Sequence, residues 1–311
     1  MRIVFMGTPE AAVPTLQRCL EDGHQVVAVW TQPDKPAGRG KKVTQPPVKT
    51  FALAQNLEVY QPARIKTDEA KQLFVSHRAD VALVVAYGRI LPAEYLSTPR
   101  RGCINVHFSL LPLYRGAAPV NWAIINGEYT TGVTTMFIEE ELDSGPLLLQ
   151  RRMEIGAKET APELMSRLSH LGADLLSETL SNLGAITPRP QHDRDATFAP
   201  LLQKEDGLIR WSSDAFMVER LIRGLQPWPN AFTELNSRRL VIWQAEPIRM
   251  DVTGDAGAVV AARGDELLVK CGGDTALRII EIQAEGGRRM LARDFLNGFH
   301  INVGDKLGTN R

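Results

Sequence analysis

The run VALVVAYG, residues 81–88, constrains this chain more than any other segment: seven consecutive apolar residues carry no polar alternation. A strand apolar on both faces must be covered on both, so the run implies an interior strand of a sheet flanked by helices. Two similar runs precede it, at residues 2–5 and 26–30. The first stops at Gly7 and is followed by Pro9 and the helical spacing Ala12, Val13, Leu16 and Leu20, which ends at Gly23. A polar helical stretch at 67–77 separates the second run from the third, and a fourth strand is expected at 103–106. Strands alternating with helices predict a Rossmann-like parallel α/β sheet, whose ligands lie beyond the carboxyl ends of its strands.

A length of 311 residues exceeds what one core usually organises. Beyond Thr160 the leucines at 164, 168, 171, 175 and 180 keep helical spacing, with Thr160 and Glu163 as a capping box and Gly184 as a stop. Residues 185–200 carry three prolines among charges and read as an extended surface segment. From about Gly207, short β-rich runs separated by glycines suggest a small barrel. The expected organisation is an α/β domain over 1–184, a linker over 185–206, and an OB-like β-barrel over 207–311.

Lysine plus arginine balances aspartate plus glutamate at 36 each, so no global field draws the chain to nucleic acid or membrane, and an anionic partner needs a local patch. Cys19, Cys103 and Cys271 are odd in number and lack CxxC spacing, which argues against disulfides and zinc. We expect them reduced, buried and inert. The first residues lack a signal-peptide pattern and no apolar run of membrane-spanning length follows, so the expectation is a soluble cytoplasmic protein without an obligate protein partner.

Chemistry concentrates between Cys103 and Gln150. Asn105 and His107 lie two apart at a strand end, so their side chains leave one face and can address a common atom. Asp143 follows a later strand in a glycine-bounded loop. An amide donor, an imidazole and a carboxylate suit acyl transfer to an amine, in which an oxyanion develops and the amine sheds a proton. Each residue alone has a structural reading as well, the histidine as a hydrogen-bonded strand end and the aspartate as a turn residue.

The string NVHFSLLPLYRGAAPVNWAIINGE, followed by TGVT and LDSG, resembles the signature of the folate-dependent formyltransferases. FMGTPE, TQPDKPAGRGKK, AYGRILP and GLQPWPNAF extend the resemblance along the whole chain, toward the branch that formylates methionine carried by initiator tRNA. This resemblance implies Asn105, His107 and Asp143 as the catalytic trio, and Ser109, Leu110, Leu111 and Pro112 as part of the reduced-folate site. It also implies 10-formyltetrahydrofolate as formyl donor, initiator methionyl-tRNA as acceptor and no metal. One departure is Phe108, since many relatives carry a small residue between the catalytic histidine and Ser-Leu-Leu-Pro. By strand alternation its side chain should point into the core beneath the site.

Residues 31–49 hold Lys35, Arg39, Lys41, Lys42 and Lys49 against Asp34 in a glycine- and proline-rich insertion. The insertion resembles the family's tRNA-gripping loop, which implies phosphate contact by Lys35, Arg39, Lys41 and Lys42; a solvated loop is the plainer alternative. From Lys204 onward basic and acidic residues are equal in number, so a tRNA role for the barrel rests on resemblance, with Arg238–Arg239 and Arg288–Arg289 as the local patches. Three rivals bear weighing. A nicotinamide enzyme would need GxGxxG, which FMGTPE lacks. A formyltransferase for a small amine, such as a nucleotide sugar, would have no use for the basic loop and barrel. A non-catalytic RNA-binding module would have no need of an intact Asn, His and Asp set.

Overall fold

Apolar runs become buried strands when successive connections return the chain to the same end of one sheet. In the computed structural model, which describes residues 1–37, 42–250 and 253–308, the parallel strands are β1 (Arg2–Gly7), β2 (Gln25–Trp30), β3 (Val59–Tyr60), β4 (Val81–Val85) and β5 (Cys103–His107). They lie in the order β5-β4-β1-β2-β3. Next to β5, β6 (Thr130–Phe137) runs antiparallel, and β7 (Leu147–Glu154) runs antiparallel to β6, which completes a seven-stranded sheet. The Rossmann-like sheet is therefore mixed at one flank: β6 starts near the end where β5 finishes and needs no crossover helix.

Strand alternation divides the core. Val4, Met6, Ala28, Trp30, Ala82, Val84 and Cys103 face one side and pack with Phe74, Tyr87 and Tyr95. Trp30 is fully buried, and its indole N–H donates to His77 Nε2 at 3.1 Å. That bond requires an unprotonated nitrogen, and burial lowers the His77 pKa accordingly. On the other side lies the long helix Ala161–Asn182, begun by the expected capping interaction: the Thr160 backbone N–H and hydroxyl both donate to the Glu163 carboxylate, at 2.9 and 2.7 Å. Gly172 on this helix lets Val106 and Phe108 approach; a Cβ there would meet Val106 Cγ1 at 2.9 Å and the Phe108 ring at 3.4 Å. Phe108 is buried on this helix side, as alternation predicts.

The second unit is antiparallel. Strands β8 (Phe232–Leu235), β9 (Arg238–Arg249), β10 (Val259–Arg263), β11 (Glu266–Lys270) and β12 (Thr275–Ala284) lie in the order β8-β9-β12-β11-β10, with Met290–Leu291 joined to β12. Register shifts on either side of Gln244 bend β9 against β12. The sheet curls about Trp211, Leu240, Ile242, Leu277 and Ile279, against Val218 and Ile222 of the helix Ala215–Gly224. It answers to the small barrel expected in this part of the chain. Residue contacts divide the chain into a first unit of Met1–Pro119, Thr130–Glu154 and Met165–Pro200, and a second of Val120–Tyr129, Ile155–Leu164 and Leu201–Arg311.

All three cysteines are free and buried, and burial pushes each thiol up to about 12, so they are inert as nucleophiles near neutrality. The segment expected as linker is laid on the first unit: Arg189 pairs with Leu147, and Phe198–Ala199 pairs in parallel with Arg115–Gly116.

Phe108→Ala removes a buried ring packed beside Gly172 of the long helix. We expect a loss of about 3–5 kcal/mol in a denaturant titration, with near-normal folate affinity in the molecules that stay folded. A stable variant with poor folate affinity would instead make Phe108 a wall of the folate pocket.

Candidate active site

The site grows from a single row of side chains. Cys103, Asn105 and His107 alternate onto one face of β5; Cys103 is in the core, and the row ends in two polar residues as the strand runs out. β5 is held on both sides, by Val84 pairing with Asn105 and by Met136 and Thr134 pairing with Asn105 and His107, so the backbone under the row is fixed. The half-buried Asn105 carboxamide forms no hydrogen bond with any other described residue and keeps its donors available.

His107 is buried at 6% exposure, and its Nε2 lies 2.9 Å from the Tyr114 carbonyl oxygen. A carbonyl only accepts, so Nε2 carries a hydrogen and Nδ1 is the nitrogen that can gain or lose a proton. Nδ1 faces Asp143 Oδ2 at 3.6 Å, a charge-pair distance longer than a hydrogen bond. The same carboxylate oxygen accepts from the Gly116 backbone N–H at 2.8 Å. Asp143 sits in the left-handed region at φ 50°, and Gly145 after it is required, because a Cβ would lie 2.0 Å from the Phe137 carbonyl oxygen. The β6–β7 loop thus brings Asp143 back to His107 from 36 residues away in sequence. Sequence reasoning missed the backbone of Tyr114 and Gly116, which holds both members of this pair; their contacts leave no mark in side-chain type.

The four residues of the expected folate segment divide in two. Ser109 is fully buried and its hydroxyl donates to the Leu113 carbonyl at 2.6 Å, while Leu111 packs with Met136 and Leu147. Thr134 Oγ1 donates to the Ser109 carbonyl at 2.7 Å and accepts from the Leu111 N–H at 3.1 Å, and Gln150 Nε2 donates to the Leu111 carbonyl at 2.8 Å. Ser109 and Leu111 therefore shape the turn. Leu110 and Pro112 remain half-buried, and Leu110 lies over Gly132, where an added Cβ would sit 2.6 Å from Leu110 Cδ2.

In the basic insertion, Lys35–Ala37 and Lys42–Thr44 pair as an antiparallel ribbon. Arg39 and Lys41 lie outside the described residues, and Lys42 is described in its backbone alone. Lys35 Nζ donates to Gln32 Oε1 at 3.1 Å. Lys49 is committed elsewhere: it pairs with Asp34 at 2.7 Å, and Gln61 donates to the same carboxylate at 2.8 Å. Those two bonds, Lys49 first, lower the Asp34 pKa. In the second unit Arg239 stacks on Phe232 at 3.7 Å, and Arg289 pairs with Glu281 while lying 5.0 Å over Trp243.

Comparison with known proteins bears on the whole chain. The family model described as formyl transferase matches residues 1–180, and that described as formyl transferase, C-terminal domain, matches 201–300. A methionyl-tRNA formyltransferase of Caldanaerobacter subterraneus is 50% identical over 98% of this chain and 99% of its own length. One of Alkaliphilus oremlandii is 46% identical over 99% and 100%. Among solved structures, the sugar 3N-formyl transferase WlaRD, in the presence of dTDP and 5-N-formyl-THF, superposes with a TM-score of 0.67 at 17% identity, covering 90% of this chain and 97% of that one. HypX from Aquifex aeolicus in complex with tetrahydrofolic acid gives 0.61 at 18%, covering all of this chain and 51% of that one. The two structural likenesses speak for the fold; the full-length identities go further, and by them this chain belongs to the methionyl-tRNA formyltransferase family.

Proposed function

We propose that this chain transfers the formyl group of 10-formyltetrahydrofolate to the free amino group of methionine on initiator methionyl-tRNA, a cytoplasmic step of translation initiation. The observation that carries the reading is an Asn105 carboxamide without a hydrogen bond among the described residues, on the same strand face as His107, whose Nδ1 opens toward Asp143. Direct transfer needs no protein nucleophile, and the thiol nearest in sequence, Cys103, is buried with its pKa pushed up to about 12. Full-length relatives at 50% and 46% identity favour tRNA over a small amine as acceptor.

The folate supplies the formyl carbon as an amide-like carbonyl on N10. Leu110 and Pro112 would border it, on a turn that Ser109 and Leu111 hold from within. Asn105 donates toward the formyl oxygen as charge builds there, and His107, protonated at Nδ1, adds a second donor. Asp143 orients the imidazole and receives the proton the amine sheds, directly or through water, and that proton passes to N10 as the bond from N10 to the formyl carbon breaks and tetrahydrofolate leaves. Because Nε2 is held by the Tyr114 carbonyl, all proton exchange at His107 is directed to the Asp143 side. Residues 1–184 carry this chemistry, residues 185–206 link, and the domain 207–311 holds the tRNA body. Lys35, Arg39, Lys41 and Lys42 grip phosphates of the acceptor end.

Labelled 10-formyltetrahydrofolate incubated with methionyl initiator tRNA and this protein should yield formylmethionyl-tRNA. Failure with fresh folate and charged tRNA would sink the reading. Asp143→Asn should keep the fold and tRNA binding while lowering kcat by about a hundredfold or more; near-normal turnover would leave Asp143 a turn residue only. Replacing Arg39, Lys41 and Lys42 together by Ala should raise KM for tRNA. It should also make the log–log salt dependence shallower by about 2 to 3 units, with folate affinity unchanged. An unaltered salt slope and KM would return the insertion to a solvated loop.

A further inference from the structure

One hydrogen-bonded chain connects both members of the proposed catalytic pair to residues far along the sequence. Tyr114, Arg115 and Gly116 are consecutive, and the outer two hold His107 and Asp143 through their backbones. The tripeptide itself is anchored: Tyr114 N donates to Thr197 Oγ1 at 2.8 Å and Arg115 N to the Thr197 carbonyl at 2.8 Å. Gly116, at φ 126°, lies so close to the Ala199 carbonyl that a Cβ would sit 2.6 Å from it. Between these two residues the Arg115 side chain turns inward, at 5% exposure. Its Nε and Nη2 donate to Gln191 Oε1 at 3.1 and 3.0 Å, and its Nη1 meets Asp193 Oδ1 at 2.9 Å. The Gln191 amide spends its nitrogen on the catalytic loop, with Nε2 donating to the carbonyl oxygens of Asp143 and Gly145, both at 2.8 Å.

The orientation of that amide is forced by its neighbours. A guanidinium has only donors and the two carbonyls only accept, so the oxygen must face Arg115 and the nitrogen must face the loop. A single side chain thereby fixes the carbonyls on either side of Ser144, in a loop where Asp143 already occupies the left-handed region. We infer that Arg115 and Gln191 are positioning residues for the transfer: they set the backbone of the Asp143 loop so that its carboxylate meets His107 Nδ1. The inference rests on reading His107 and Asp143 as the catalytic pair.

The Gln191→Glu variant separates positioning from mere stability. A glutamate keeps the side chain's size and gives the buried Arg115 a second charged partner beside Asp193, but it removes both donors and turns carboxylate oxygen toward the Asp143 and Gly145 carbonyls. Stability should hold or rise, whereas kcat should fall by about ten- to a hundredfold, with KM for tRNA changed less than about threefold. In an Asp143→Asn background the same substitution should change kcat less than about twofold, because a residue acting through Asp143 has nothing left to position. Normal kcat for Gln191→Glu beside a nearly inactive Asp143→Asn would overturn the positioning role and leave the functional reading standing. Losses that multiply in the double variant would also overturn it, by showing that Gln191 acts elsewhere. Normal turnover of Asp143→Asn would remove both the assigned role of Asp143 and the reason for holding its loop.

Discussion

The site depends first on the double pairing of the strand Cys103–His107. A strand bonded on both edges has no freedom to twist out of register, so Asn105 and His107 stay on one face and Val106 on the other. The helix Ala161–Asn182 presses on that second face at Gly172, where side chains replace the space a Cβ would fill. Chemistry and packing therefore share one backbone, and the polar row is as rigid as the core beneath it. Enzymes that stabilise developing charge benefit from such rigidity, because fixed dipoles need no reorganisation during the reaction.

The rest of the site is made of loops, and each loop is tied down by bonds from distant segments. The Ser109–Pro112 turn is held by Thr134 and Gln150, and the Asp143 loop by Gly116 and Gln191. The insertion after β2 is braced at its root by Asp34, Lys49 and Gln61. Asp34 neutralises Lys49, so the cations of this neutral chain that remain for an anionic partner in the insertion lie at and beyond Lys35.

Much of this was legible in the sequence for identifiable reasons. Continuous apolar runs marked four of the five parallel strands, the two-residue Val59–Tyr60 being too short to carry such a run, and two-residue spacing marked the shared face of Asn105 and His107. The same alternation placed Phe108 in the core, and Thr160 with Glu163 marked a helix start. Other features had no local signal. That β6 reverses direction depends on where a connection leads, which periodicity does not encode. Ser109 and Leu111 are quoted in the family string, yet their side chains point inward, the Ser109 hydroxyl to the Leu113 carbonyl and Leu111 into the cluster with Met136 and Leu147. Gln191 sits in a proline-rich stretch of extended character, where nothing in residue type distinguishes a tether from a passive strap. Contacts made by backbone atoms, such as those of Tyr114 and Gly116, are invisible to any reading of side chains.

The thiols of Cys19, Cys103 and Cys271 have a use of a different kind. Each is buried, and burial, helped by Asp22 at Cys19 and Asp214 at Cys271, holds it protonated well above neutrality, so electrophilic reagents find almost no thiolate on the folded chain. A cysteine introduced at an exposed position would then be the one thiol to react at neutral pH. The native sequence is thus already a suitable host for fluorophores, spin labels or crosslinkers at chosen points on the basic ribbon or the curled sheet, with no background cysteines to remove.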